Sequence, residues 1–181
     1  MRMKGAGSAV AIVASLVILS IAFHAHATSP PNLSMPNMSG QCLNNGATFV
    51  TALTASNMTS VQSWQLNLTF TTGKLAVMNY TLGSAFNGLS TDSTSRNSTS
   101  TGYYLLGFTF QGAAGPYTTT FPVTLVTFTW KALVYHPTVF FHIVTSAQNG
   151  LFGTMLLDPN QNSQSYTTTD GFLGCQLRPS P

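Results

Sequence analysis

Charge is what this sequence has least of. Charged residues make up 5% of the chain, against about 25% in an ordinary soluble protein. Glutamate is absent, and the only acids are Asp92, Asp158 and Asp170. Glycoside hydrolysis needs two carboxylates flanking the scissile bond. Three scattered aspartates, two of them in turn sequences, supply no such pair. No G-x-S-x-G nucleophile elbow and no glycine-rich phosphate loop occurs beyond the N-terminal segment. These absences exclude the common catalytic layouts, and neither catalysis nor a cofactor is expected. Cations are equally sparse: beyond the first four residues they are Lys74, Arg96, Lys131 and Arg178. No basic stripe exists to follow a nucleic-acid backbone, so no nucleic-acid partner is expected. Beyond residue 27 the histidines are His136 and His142, with no third or fourth metal ligand clustered beside them in sequence.

Long apolar runs are also scarce; there is one. Arg2 and Lys4 precede an uncharged run from Gly5 to Phe23, which ends in Ala25-His26-Ala27. A basic start, an apolar stretch and an A-x-A site are the layout of a secretory signal. The expected product is exported, extracellular or at the cell surface. Its signal spans residues 1–27, a flexible Pro-, Ser- and Asn-rich leader spans 28–43, a β-domain spans 44–177 and a tail spans 178–181. The apolar run is also long enough to stay uncleaved as a membrane anchor, since roughly 20 apolar residues span a bilayer. Lys4-Gly5-Ala6 resembles a pilin-type processing site as well. A cut after Gly5 would leave an assembly helix and make the chain a filament subunit.

Cysteine occurs twice, at Cys42 and Cys175, near the two ends of the expected domain. An even pair in an exported chain predicts a disulfide, with two free thiols as the alternative.

The remainder reads as strands. From Val61 to Phe70, Trp64, Leu66, Leu68 and Phe70 alternate with Gln65, Asn67 and Thr69, the period-two pattern of a sheet with one buried face. From Val123 to Val134, Val126, Phe128, Trp130 and Ala132 share one parity. Shorter strands are expected at Thr48–Ala55, Leu75–Leu82, Tyr103–Phe110, Thr138–Thr145, within Gly150–Leu157 and at Asp170–Leu177. The Ser-, Thr- and Asn-rich stretch from Asn87 to Thr101 reads as a long loop or flap. Many short strands at roughly 8–12-residue spacing predict an all-β sandwich or barrel.

Six N-x-S/T sequons occur, at Asn32, Asn37, Asn57, Asn67, Asn79 and Asn97. Sugars there would supply solubility that charge does not. Asn57, Asn67, Asn79 and Asn97 are the glycosylation candidates. Asn67 is expected on the polar parity of its strand and Asn97 in the loop. Asp158-x-Asn160-x-Asn162 starts like a calcium loop, but Ser163 and Thr169 occupy the positions that should be Gly and Glu, so it reads as a turn. Tyr103–Phe110 and Thr138–Val144 are apolar on both parities. Either the flap covers the second face, or residues such as Tyr104, Leu106, Phe108 and Phe140 form an exposed patch for a partner.

The segment order resembles a cohesin domain. The resemblance runs from about residue 47 to 175. It rests on Val61–Phe70, Leu75–Ser84, the Leu125–Trp130 strand after the flap, Thr138–Val144, the Leu156–Asn160 turn and the Thr167–Gly171 entry to the closing strand. It implies a jelly-roll β-sandwich of about nine strands. It also implies a non-catalytic role: binding a partner protein across one flat sheet face, or engaging a polysaccharide at the cell surface. A structural subunit of a surface filament or sheath is the alternative reading, and a small secreted hydrolase the least favoured. The chain departs from the family in its near absence of acids and in its cysteine pair.

Overall fold

The computed structural model describes residues 29–84, 86, 91–111 and 115–175. The signal at 1–27 and the tail at 178–181 lie outside the described residues. Among the described residues the chain is all-β apart from one four-residue helix and one 3-10 turn, with fourteen strands.

Two sheets hold most of these strands. The five-stranded sheet has the order β13(Thr167–Thr169), β1(Asn32–Ser34), β3(Thr48–Ser56), β10(Val123–Ala132), β6(Leu75–Leu82). The seven-stranded sheet runs β2(Asn37–Ser39), β14(Gly171–Gly174), β11(Val139–Ile143), β5(Ser63–Phe70), β8(Tyr103–Phe110), β7(Thr91–Ser98), with β12(Met155–Leu157) also paired to β5. A small side ribbon joins β4(Met58–Val61) to β9(Tyr117–Thr119).

The core lies between the two large sheets, and its side chains come from the parity that the alternation selects. Trp64, Leu66, Leu68 and Phe70 of β5 are buried, as are Val126, Phe128, Trp130 and Ala132 of β10. The Trp130 ring is surrounded by Phe49, Phe70, Phe128 and Phe141, with centroids 5.1–6.5 Å away. Its indole N–H donates to Thr51 Oγ1 at 2.8 Å, so the buried polar atom is satisfied. Trp64 stacks on Phe108 at 5.2 Å, but its Nε1 has no hydrogen-bond partner.

Two segments differ from the sequence expectation. The 28–43 leader contains β1 and β2, and its Leu33 and Met35 are buried in the core. Each of these strands is three residues long, too short to show a period. Their partners β13 and β14 lie over 130 residues away and run parallel to them. Both pairs change sheets together, the N-terminal one at Met35-Pro36 and the C-terminal one at Asp170. A Cβ on Gly171 would sit 2.7 Å from Met35 Cβ, so glycine is required where the two crossings touch. The Cys42–Cys175 disulfide closes this parallel pair just beyond β2 and β14, with Cα atoms 4.3 Å apart. The second difference is the expected Asn87–Thr101 flap, which includes strand β7 paired along β8. Among the described residues β7 has one neighbour and ends the sheet, a place its polar composition suits.

Candidate protein-binding face

The seven-stranded sheet turns one face to the core and one outward. Cross-strand register decides which residues go where. Tyr104, Leu106 and Phe108 of β8 pair with Leu68, Leu66 and Trp64 of β5 and therefore share the buried parity. All three lie in the core. Of the four residues expected to form an exposed partner patch, only Phe140 is exposed, at 57%. The assignment of Tyr104, Leu106 and Phe108 to an outer patch is thereby corrected: the inward parity of β8 is the one that meets Trp64. Burial raises the Tyr104 phenol pKa above its usual value, partly offset by its hydrogen bond with Ser95.

The outward parity carries Gln65, Asn67 and Thr69 from β5, Tyr103 and Leu105 from β8, Arg96 from β7, and Phe140 and His142 from β11. A short segment crosses this face beyond β11. It comprises α1(Ser146–Asn149) and the 3-10 turn Gly150–Phe152. Two β5 amides hold it down. Gln65 Nε2 donates to Leu151 O at 2.9 Å and Gly153 O at 2.7 Å, and Asn67 Nδ2 donates to Phe152 O at 2.7 Å. Of the two readings of the second apolar face, cover by the flap or an exposed patch, neither names this segment, which supplies part of the cover.

Between the segment and β8 lies a cleft of about 440 Å³, floored by Asn67, Thr69, Tyr103 and Leu105 and walled by Arg96, Val144, Asn149 and Phe152. Leu151 and Phe152 stand out into solvent beside it. Arg96 brings the cleft a single cation and has no ion-pair partner among the described residues. Asn67 Oδ1 is buried at the cleft floor without a hydrogen-bond partner.

Asn67 was expected to be reachable as a glycosylation site. It faces outward as its parity requires, but the crossing segment buries it to 8% exposure and engages its Nδ2. Asn79 on β6 and Asn97 on β7 are exposed, Asn57 is half-buried, and Asn97 lies on a strand and not in a loop. Peptide mapping of protein from a glycosylating host should find sugar at Asn79 or Asn97 and none at Asn67. A glycan on Asn67 would show that the crossing segment does not close over it.

The remaining polar candidates make no catalytic or metal constellation among the described residues. Asp158 Oδ1 accepts the amide N–H groups of Asn160 and Asn162 at 2.8 Å each, and its Oδ2 accepts Asn162 Nδ2. The Asn162 bonds hold this carboxyl below the usual range, and the turn itself uses both oxygens. Asp170 is bound to His142 and to the Ile143 amide. Cys42, Cys175 and His136 have ligand atoms within 4.8 Å of one another, but the two sulfurs are joined to each other.

No protein-family model matches the chain, and neither does any curated protein sequence. Solved structures do match. A non-cellulosomal cohesin from the archaeon Archaeoglobus fulgidus superposes with a TM-score of 0.58 at 13% identity, covering 81% of this chain and 91% of that one. The fold is that of a cohesin domain. A type II cohesin domain from the cellulosome of Acetivibrio cellulolyticus gives a TM-score of 0.60 at 18% identity, covering 81% and 95% of the two chains. The cohesin of a type I cohesin–dockerin complex from Clostridium thermocellum gives 0.63 at 9% identity, covering 81% and 99%. At these identities the likeness is one of fold. The two-sheet frame is shared with these structures at 9–18% sequence identity.

Proposed function

We propose that this chain is a non-catalytic, extracellular protein-binding module whose partner docks on the outer face of the seven-stranded sheet. The observation that carries the reading is that face itself. Its cleft is bordered by apolar side chains held out in water: Leu151 is 80% exposed and Phe152 66%. Large apolar side chains around a concavity are what a protein interface uses as anchors. Solved structures with this fold include complexes with dockerins, which supports a protein as the partner class. With few charges to steer association, affinity would come from apolar burial and from Thr69 and Arg96. The disulfide fits an oxidising, extracellular location.

Calorimetric titration of the purified domain with dockerin-bearing proteins and with soluble polysaccharides tests this. Protein binding is expected, and Phe152→Ala should weaken it roughly tenfold or more, the usual loss for an anchor. The Asn67 bond goes to the Phe152 carbonyl, so truncating the ring leaves the segment in place. Val50→Ala, on the opposite sheet, should leave the affinity unchanged. Binding of polysaccharide alone, or a loss confined to Val50→Ala, would contradict the reading, as would hydrolysis of any polysaccharide.

A further inference from the structure

One wall of the cleft is held by a directional chain of hydrogen bonds. It starts at the Thr145 backbone N–H, which can only donate. That group donates to Gln148 Oε1 at 2.7 Å, and the Thr145 hydroxyl shares the same acceptor at 3.1 Å. The Gln148 amide orientation is thereby fixed, with its NH2 group turned to His142 Nε2 at 3.3 Å. His142 Nε2 must therefore be the unprotonated, accepting nitrogen. The ring proton then sits on Nδ1 and donates to Asp170 Oδ2 at 2.6 Å. Asp170 Oδ1 accepts the Ile143 amide at 3.0 Å. Both ends of the chain are backbone donors, and both point inward to the imidazole.

We propose that this chain is an acid-released latch on the cleft wall. A proton added to His142 can go only to Nε2, where it meets the Gln148 NH2 group, donor against donor. Gln148 can turn its oxygen to the ring only by withdrawing it from Thr145, and that breaks one of the two reciprocal bonds of the capping box that starts α1. Helix α1 ends at Asn149 and the 3-10 turn that follows ends at Phe152, and both residues wall the cleft. The other groups around the ring do not substitute for the acceptor. Thr69 of β5 uses its hydroxyl to reach the His142 carbonyl, and the Tyr166 hydroxyl is engaged with Ser146 N and Thr154 O. Asp170 is the carboxylate bound to the imidazole, and Arg96 enters the cleft from β7 on its other side. The latch rests on the reading of this cleft as partner-facing only for its consequence, which is weaker docking in acid. Its chemistry can be measured on the protein alone.

The test is nuclear magnetic resonance on the intact domain without any partner. Long-range 1H–15N spectra of His142 should show the Nδ1–H tautomer at about pH 7.5. The protection factor of the Thr145 amide, corrected for intrinsic exchange, should fall roughly three- to tenfold when the sample is taken from about pH 7.5 to about pH 5. Asp170→Asn should switch the tautomer at neutral pH. Its Oδ1 must serve the Ile143 amide, so its NH2 group faces Nδ1 and drives the proton to Nε2. Gln148→Glu should reverse the acid response, because a carboxylate accepts from Thr145 and from protonated His142 together. An Nε2–H tautomer in the unmodified protein would overturn the proposal. So would a Thr145 protection factor that falls in acid equally in the Gln148→Glu variant. Neither result depends on whether the cleft binds a protein.

Discussion

Replacing Cys42 and Cys175 together by serine lowers the unfolding free energy by about 4–5 kcal/mol in chemical denaturation, the expected worth of a cross-link closing so long a loop. The bridged residues are 133 apart in sequence, so breaking the bond frees nearly the whole domain in the unfolded state. Cys42 is exposed and Cys175 half-buried, so serine there opens no cavity and the loss reports the cross-link itself. The damage in the folded state should be local. β1 and β2 are three-residue strands held to β13 and β14 by parallel pairing, and the disulfide closes that pair at its end. Amide exchange in the double variant should therefore quicken first at Leu33 and Met38. A change under about 1 kcal/mol would mean that the terminal strands are held by packing alone.

Trp130→Ala is expected to cost about 5 kcal/mol, at the upper end of the range for removing a large buried ring. Trp130 is fully buried among four aromatic rings, and its loss would also strand the Thr51 hydroxyl, which is 2% exposed. Trp64→Ala should cost somewhat less, about 3–5 kcal/mol, because its indole nitrogen has no partner to lose. The sharper comparison uses phenylalanine. Trp64→Phe removes an N–H that makes no bond, whereas Trp130→Phe breaks the bond to Thr51. Thermal denaturation should place Trp130→Phe below Trp64→Phe, and the reverse order would show that ring volume, not the buried polar atom, decides the difference.

The strands that sequence made legible are those whose alternation is clean. β5 and the Val126–Ala132 part of β10 show it: each puts aromatic and aliphatic side chains on one parity, with glutamine, asparagine and threonine opposite in β5 and threonine and lysine opposite in β10. β8 was ambiguous because Tyr103 and Leu105 oppose Tyr104, Leu106, Phe108 and Phe110, and composition does not say which set meets Trp64. Only the pairing of Phe108 with Trp64 settles it. Leu33 and Met35 carried no period: Leu33 sits in a three-residue strand whose partner lies over 130 residues away, and Met35 lies at the crossing between β1 and β2, where its amide donates to Thr169 O. The candidate site was hidden for a similar reason. Leu151 and Phe152 follow a Gln-Asn-Gly turn and look like a chance apolar pair. Their position over Asn67 depends on amides of β5, more than 80 residues earlier. The parity of Asn67 was read correctly, and its burial was not, since parity gives a direction and says nothing about what lies above the sheet.

Site-specific photocrosslinking in the native host reads directly which sheet face meets a partner. A photoreactive residue is placed at Leu151 or Phe140 on the seven-stranded face and at Val50 or Thr129 on the five-stranded face. The cross-linked species are then identified by mass spectrometry. Discrete protein adducts are expected from Leu151 and Phe140 and none from Val50 or Thr129. Adducts formed only from Val50 and Thr129, or adducts to polysaccharide alone, would contradict it.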